Sequence, residues 1–338
     1  MNKKRVLAML LAGAMALSMT ACGGNSASTD GSSNDGGASA SGGSYKVSVI
    51  LKTLAAEYWQ YVKSGAEDYA SEHSDKVTVE VKGPSSETAF DEMQNMIETD
   101  LSSGSYDGIV ISPLQSDTAA QLVSGTKLPI VAIDTNFTAQ EVKSFVGTGN
   151  EAAAKKGGEA AVEAAKAAGW TDIKCIEIAG VQGDQTNTAR MNGYKAGVEE
   201  AGGTFLSDEV QYADATADRA TTAMEAIMQT HPEGIAIICA NNDDMAMAAA
   251  RAAQGHDAYK NTIFLGFNGD RAACEAILAG QMTMSVAQMA YEMGYKAVET
   301  MVQVLDGETV DEFVDSGSDV VTPDNAQERL DTLKTQIH

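Results

Sequence analysis

Basic residues are scarce in this chain: 23 Lys and Arg stand against 47 Asp and Glu, a formal charge of -24. Losing Lys3, Lys4 and Arg5 with the leader segment makes that -27. So acidic a protein is a poor partner for nucleic acid, and for anionic lipid headgroups through its own surface. Cysteine is sparse too. Beyond Cys22 only Cys175, Cys239 and Cys274 occur, an odd number, two of them in or beside strand-like runs. They read as small buried hydrophobes and not as a disulfide framework. His73, His231, His256 and His338 lack metal-ligand spacing. No Ser/His/Asp or Cys/His pairing and no Walker loop occurs, so the expectation is no enzyme, no metal and no cofactor.

Long apolar runs are missing as well. The N-terminal stretch Val6 to Leu17 follows Asn2-Lys3-Lys4-Arg5 and, at twelve residues, is too short for a stable membrane span. Residues 1–21 therefore read as a secretory signal. Ser18-Met19-Thr20-Ala21-Cys22-Gly23 is similar to a bacterial lipoprotein cleavage box, with Met19 where Leu is usual. In such a box Cys22 becomes the N-terminus and carries the lipid; the alternative is an idle Cys22. Residues 22–44 then comprise the lipidated Cys and a tether of Gly, Ser, Ala, Asn, Asp and Thr, which cannot bury a core.

What is present is one pattern, repeated. Ile235 to Cys239 is apolar without alternation, as in a strand buried on both faces; Asn241-Asn242-Asp243-Asp244 stops it, and an Ala/Met-rich helix follows. Val47 to Leu51 ends at Lys52-Thr53, Ile109 to Ile111 at Ser112-Pro113, and Ile130 to Ile133 at Asp134-Thr135-Asn136. Ile263 to Phe267 ends at Asn268-Gly269-Asp270, and Met284 to Ala287 at Gln288. The spacing predicts βα units of a parallel sheet, with polar residues collected at the carboxyl ends where α/β proteins bind ligands. Asn and Asp at such ends are also ordinary helix caps.

Two motifs lead elsewhere and are set aside. Gly147-Thr148-Gly149-Asn150-Glu151-Ala152 matches a loose dinucleotide fingerprint, yet it falls mid-chain after a very short strand, Ser144 to Val146, and reads as an interdomain linker. Asp214 to Glu225 mimics a calcium loop, but Arg219 stands where the sharp turn needs Gly.

After the first strand, Tyr58 and Trp59 open a helix, where aromatic rings can pack against the C–H faces of a pyranose. The plainer alternative makes Trp59 core and Tyr61 surface. From about Tyr45 to Thr322 the chain resembles the ribose/allose branch of bacterial sugar-binding proteins, receptors of ABC importers. The residues that carry the resemblance are Val49-Ile50-Leu51-Lys52-Thr53-Leu54 before Tyr58-Trp59, Val131-Ala132-Ile133-Asp134, Arg190-Met191-Asn192-Gly193-Tyr194, Ala240-Asn241-Asn242-Asp243-Asp244-Met245-Ala246, Gly266-Phe267-Asn268-Gly269, and Ser285-Val286-Ala287-Gln288. Three positions depart. Ala55-Ala56-Glu57 replaces the usual Asn-Pro, Asn268 replaces an Asp, and around Ala215 no aromatic stands where ribose and allose receptors have Phe or Trp.

The resemblance implies a type I periplasmic binding protein fold: two Rossmann-like three-layer αβα lobes with parallel sheets, joined by a three-crossing hinge and closing on the ligand. Lobe one is expected over 45–147 plus about 289–312, lobe two over 148–288 plus about 313–338. The crossings then fall near Thr148–Asn150, Gln288–Met289 and Phe313–Ser316. The ligand-binding set is Lys52, Tyr58, Trp59 and Asp134 on one lip, Arg190, Asn242 and Asn268 on the other, and Gln288 at a crossing. Asp134 and Arg190 could instead form an ion pair across the lips. A carboxylate, a guanidinium and neutral amides suit a neutral monosaccharide or polyol. The expected partners are the transmembrane subunits of an ABC permease and, through Cys22, the membrane. The receptor would act as a monomer on the extracellular face of the cytoplasmic membrane, or on the periplasmic side where an outer membrane exists. The same module could instead report to a membrane sensor. A sugar-responsive repressor would need a basic helix-turn-helix where this chain has its leader.

Overall fold

The computed structural model describes residues 44–337; the signal, Cys22 and the tether through residue 43 lie outside them. In chain order the elements are β1 (Tyr45–Ile50), α1 (Glu57–Glu72), β2 (Val77–Lys82), α2 (Phe90–Ser103), β3 (Gly108–Ile111), α3 (Ser116–Val123), β4 (Ile130–Ile133), β5 (Val142–Gly147), α4 (Asn150–Ala167), β6 (Lys174–Ala179), α5 (Gln185–Glu200) and β7 (Thr204–Phe205). They continue with β8 (Gln211–Tyr212), α6 (Ala217–Thr230), β9 (Ile237–Ala240), α7 (Asp243–Ala253), β10 (Ile263–Asn268), α8 (Arg271–Leu278), β11 (Met284–Gln288), α9 (Ala290–Leu305), β12 (Phe313–Asp315), β13 (Ser318–Val321) and α10 (Ala326–Gln336). Every residue of β3, β4 and β9 is buried, as strands covered by helices on both faces must be.

The strands form two sheets, one per lobe. The first runs β12-β5-β4-β3-β1-β2, all parallel; the second runs β13-β11-β10-β9-β6-β7, with β8 also on β6 and only β13 antiparallel. In each sheet the chain reverses direction beside one strand. β1 lies between β2 and β3, and β6 has β7 and β8 on one side and β9 on the other. The carboxyl ends at these reversals are where a doubly wound sheet leaves a crevice.

Helix α9 returns to the first lobe and packs on α1. Close approach is required there: a Cβ on Gly65 would fall 1.9 Å from the carbonyl oxygen of Tyr291, and one on Gly294 would fall 1.9 Å from that of Val62. The two sheets are linked after β5, after β11 and between β12 and β13. The Gly147–Ala152 motif is the first of these links, with β5 ending at Gly147 and α4 starting at Asn150. At the third link the structure differs from the expected boundary. Phe313–Asp315 pairs with β5 in the first sheet, with Phe313 stacked on Phe145 at 5.4 Å, and the chain changes sheet only at Ser316–Gly317.

Candidate functional site

On the first lobe, β4 delivers Asp134 in a left-handed conformation, φ 62°, with its N–H bonded to Val146. That turn aims the carboxylate across the end of the sheet. Oδ1 accepts the Tyr58 hydroxyl at 2.8 Å; Oδ2 accepts the Thr135 hydroxyl at 2.8 Å and lies 3.8 Å from Lys52 Nζ. Burial, and then the Asp134 charge, hold the Tyr58 phenol well above its ordinary pKa, so it remains a donor. The cation beside Asp134 is therefore Lys52 and not Arg190, and the alternative of a lip-bridging pair does not hold.

Tyr58 and Trp59 meet edge to face at 5.0 Å, and the indole N–H donates to Glu87 at 2.7 Å. Both are buried and both line the cleft. Tyr61 is buried as well, with its hydroxyl on Glu57 at 2.6 Å, so the reading that placed it on the surface fails.

On the second lobe, α5 starts with Asp184 capping the Asn187 N–H and carries Arg190 inward. Arg190 donates to Asn150 Oδ1 and to the Asn241 carbonyl, both at 2.8 Å, and lies 3.8 Å over the Phe267 ring. It makes no ion pair among the described residues, and its position is set by neutral groups. Beneath it Glu177 on β6 is fully buried with neither carboxyl oxygen hydrogen-bonded. Burial pushes that carboxyl up to about 8, partly opposed by Arg190.

Asn242 caps α7: Oδ1 accepts the Met245 N–H at 2.9 Å and Nδ2 donates to Ala215 at 3.1 Å. Its amide thus works as the ordinary cap that the sequence also allowed, while still forming part of the wall. Asn268, with φ 133°, accepts from Gln288 Nε2 at 3.0 Å and donates to Asp270 at 3.2 Å.

All eight expected residues, Lys52, Tyr58, Trp59, Asp134, Arg190, Asn242, Asn268 and Gln288, line one cavity of about 650 Å³ between the lobes. Among the described residues four non-glycine positions have positive φ, namely Asp134, Asp214, Ala215 and Asn268, and all four line this cavity. Such conformations cost on the order of 1–3 kcal/mol each and persist where function needs the geometry. The cavity is also lined by residues outside the expected binding set, among them Glu87, Asp244 and Asp270. Glu87 follows β2, whose alternating Val-Thr-Val-Glu-Val-Lys was an available strand signal. Asp270 closes the Asn-Gly-Asp turn before α8. Asp214 is paired with Arg219 just ahead of α6, and a helix starting at Ala217 leaves no loop to follow a calcium pattern.

Two αβα lobes with a polar cleft across their switch points define a hinged solute-binding protein of the type I class. The chain belongs to the periplasmic binding protein domain family, whose description matches residues 47–309. It is 30% identical over 264 residues to the D-allose-binding periplasmic protein of Escherichia coli, covering 75% of this chain and 82% of that one. It is 26% identical to the ribose import binding protein of Bacillus subtilis, over 80% of this chain and 85% of the relative. Among solved structures, a carbohydrate transporter solute-binding protein from Agrobacterium radiobacter in complex with D-arabinose superimposes with a TM-score of 0.75 at 25% identity, covering 88% of this chain and all of that one.

Proposed function

We propose that this protein is an extracytoplasmic solute-binding lipoprotein. It captures a neutral monosaccharide or polyol between its lobes and delivers it to an ABC permease. The observation that carries this reading is the convergence of eight donors, acceptors and rings, from strand ends and neighbouring helices of both lobes, on one cavity of about 650 Å³. Asp134 and the amides offer acceptors to hydroxyls, while Lys52, Arg190 and the amides offer donors. The relatives named for ribose and allose, and the neighbour holding D-arabinose, support the same chemistry. A ligand touching both lips favours their closure, which a permease can recognise.

The test is a thermal-shift screen with pentoses, hexoses, inositols and purine nucleosides. A ligand at a hundred times its dissociation constant adds about 2.7 kcal/mol of stability. A shift with a neutral sugar or polyol supports the reading, and a shift with nucleosides alone overturns it. The anchor is tested separately: Cys22→Ala is expected to lose membrane retention, and equal retention would refute lipidation.

A further inference from the structure

Asp270 stands in the cleft wall at the N-cap of α8, yet its side chain makes no cap bond to that helix. Asp184 and Asn242, at the starts of α5 and α7, both spend an oxygen on a helix N–H. The Asp270 carboxyl is instead held out toward the cavity. Oδ2 accepts the Asn268 amide at 3.2 Å, and Oδ1 makes no hydrogen bond among the described residues. Behind it lies Asp243, fully buried, which accepts the Asp270 N–H at 3.0 Å and the Ser285 hydroxyl at 2.6 Å.

Arg329, the cation behind this corner, donates to the carbonyls of Gly269 and Gln288 and forms no ion pair among the described residues; the cations nearer the cavity are committed elsewhere. Arg271, the next residue, reaches over the cleft mouth to Glu57 at 2.7 Å. Lys52 lies against Asp134, and Arg219 against Asp214. Arg190 is held by Asn150, Asn241 and the face of Phe267. Asp244, also in the wall and without an ion pair, is exposed to solvent, whereas Asp270 is only partly exposed. Enclosure by the walls, and then the Asp243 charge, push the Asp270 carboxyl well above the ordinary carboxylate range.

We infer that Asp270 is a further ligand-contacting residue and that it sets specificity by rejecting a carboxylate or phosphate on the sugar. This rests on the sugar-binding reading above. Ionised, Asp270 repels an anion; protonated, it offers one hydrogen bond but no counter-charge, and Asp244 in the same wall adds a negative charge. A hydroxyl loses nothing there, since a carboxyl accepts its proton or donates one in either state. Like-charge contacts in a desolvated site are one means by which a binding protein refuses a near-isosteric competitor.

The test compares calorimetric dissociation constants for matched probes. D-ribose is set against D-ribose 5-phosphate, D-glucose against D-glucuronate, and myo-inositol against its monophosphate. Wild type is expected to favour the neutral member of the pair it binds by about 100-fold or more. In Asp270→Asn the preference is expected to shrink to about tenfold or less, while affinity for the neutral sugar changes by less than that. Asp270→Ser serves as a second variant, and loss of fold in either is read from circular dichroism. An unchanged preference in both folded variants, or a wild type that binds the anion as tightly, overturns the inference and leaves the function standing. A wild type that binds none of the neutral probes removes the function, and the inference with it.

Discussion

Arg271 Nε donates to Glu57 Oε1 at 2.7 Å, joining the first residue of α8 in the second lobe to the first residue of α1 in the first. Glu57 is itself held by the Tyr61 hydroxyl. The pair spans the cleft mouth, so it stabilises whichever arrangement keeps the lips together. Both side chains are about a third or more exposed, 46% and 32%, and exposed pairs contribute only about 0–1 kcal/mol.

Glu57→Gln is accordingly expected to weaken ligand binding by no more than about fivefold, with the difference disappearing in about 1 M salt as screening removes the pair from wild type. Calorimetry across ionic strength checks this. A deficit of the same size at high salt would place Glu57 in direct contact with the ligand.

Asp134→Ala is expected to abolish measurable binding, at a loss on the order of 2–5 kcal/mol. The substitution strips charge-assisted bonds from the ligand and leaves Lys52 and the buried Tyr58 hydroxyl without their partner. A dissociation constant within about threefold of wild type would take Asp134 out of the site.

Glu177 gives the second lobe a pH dependence. Its pKa is about 8 in the folded protein, against 4.5 ordinarily, because it is buried without a hydrogen-bond partner. Between these values the folded state holds a proton that the unfolded state has released. Stability from this group therefore falls as pH rises from about 4.5 to about 8 and is level above, a change on the order of several kcal/mol. Urea titrations at pH 5 and pH 9 should show Glu177→Met losing much less stability with rising pH than wild type. Equal losses would mean that the carboxyl finds a partner in solution.

Trp59 should report the ligand. Its ring lines the cleft, whereas Trp170 lies between α4 and β6 with its N–H on the Asn261 carbonyl, at the opposite end of the second sheet. A ligand-induced fluorescence change should survive Trp170→Phe and vanish in Trp59→Phe, with only a modest loss of affinity, since Phe keeps most of the apolar face. A response that follows Trp170 instead would move the pocket away from the aromatic pair.

Much of the architecture was legible because buried parallel strands must be continuously apolar: Ile130–Ile133 was read to the residue, and Ile263 and Met284 were read as strand starts. Other strands lack that signal: β2 is an edge strand that alternates, and β7 and β8 have two residues each. The run of β6 beside Cys175 is interrupted by Glu177, a buried carboxyl that nothing in its sequence neighbours explains. Residues at strand ends were legible as a site because polarity concentrates there. Partners were not: that Asp134 faces Lys52 and Tyr58, that Asn242 is occupied as a cap, and that Asp270 has no ion pair among the described residues are consequences of which helix starts beside which strand end. Positive φ at Asp134 and Asn268 suits residue types that tolerate it better than most, but the types alone do not say which of the many Asp and Asn adopt it.

The central claim is that one ligand is held by both lobes at these strand ends. A crystal structure with the sugar or polyol from the thermal screen tests it most directly. The account predicts the ligand between Asp134 and Tyr58 on one side and Arg190, Asn268 and Asp270 on the other, with its hydroxyls on those groups. A ligand seated elsewhere, for instance in the groove between α7 and α8 lined by Arg251, Lys260 and Phe264, would contradict it.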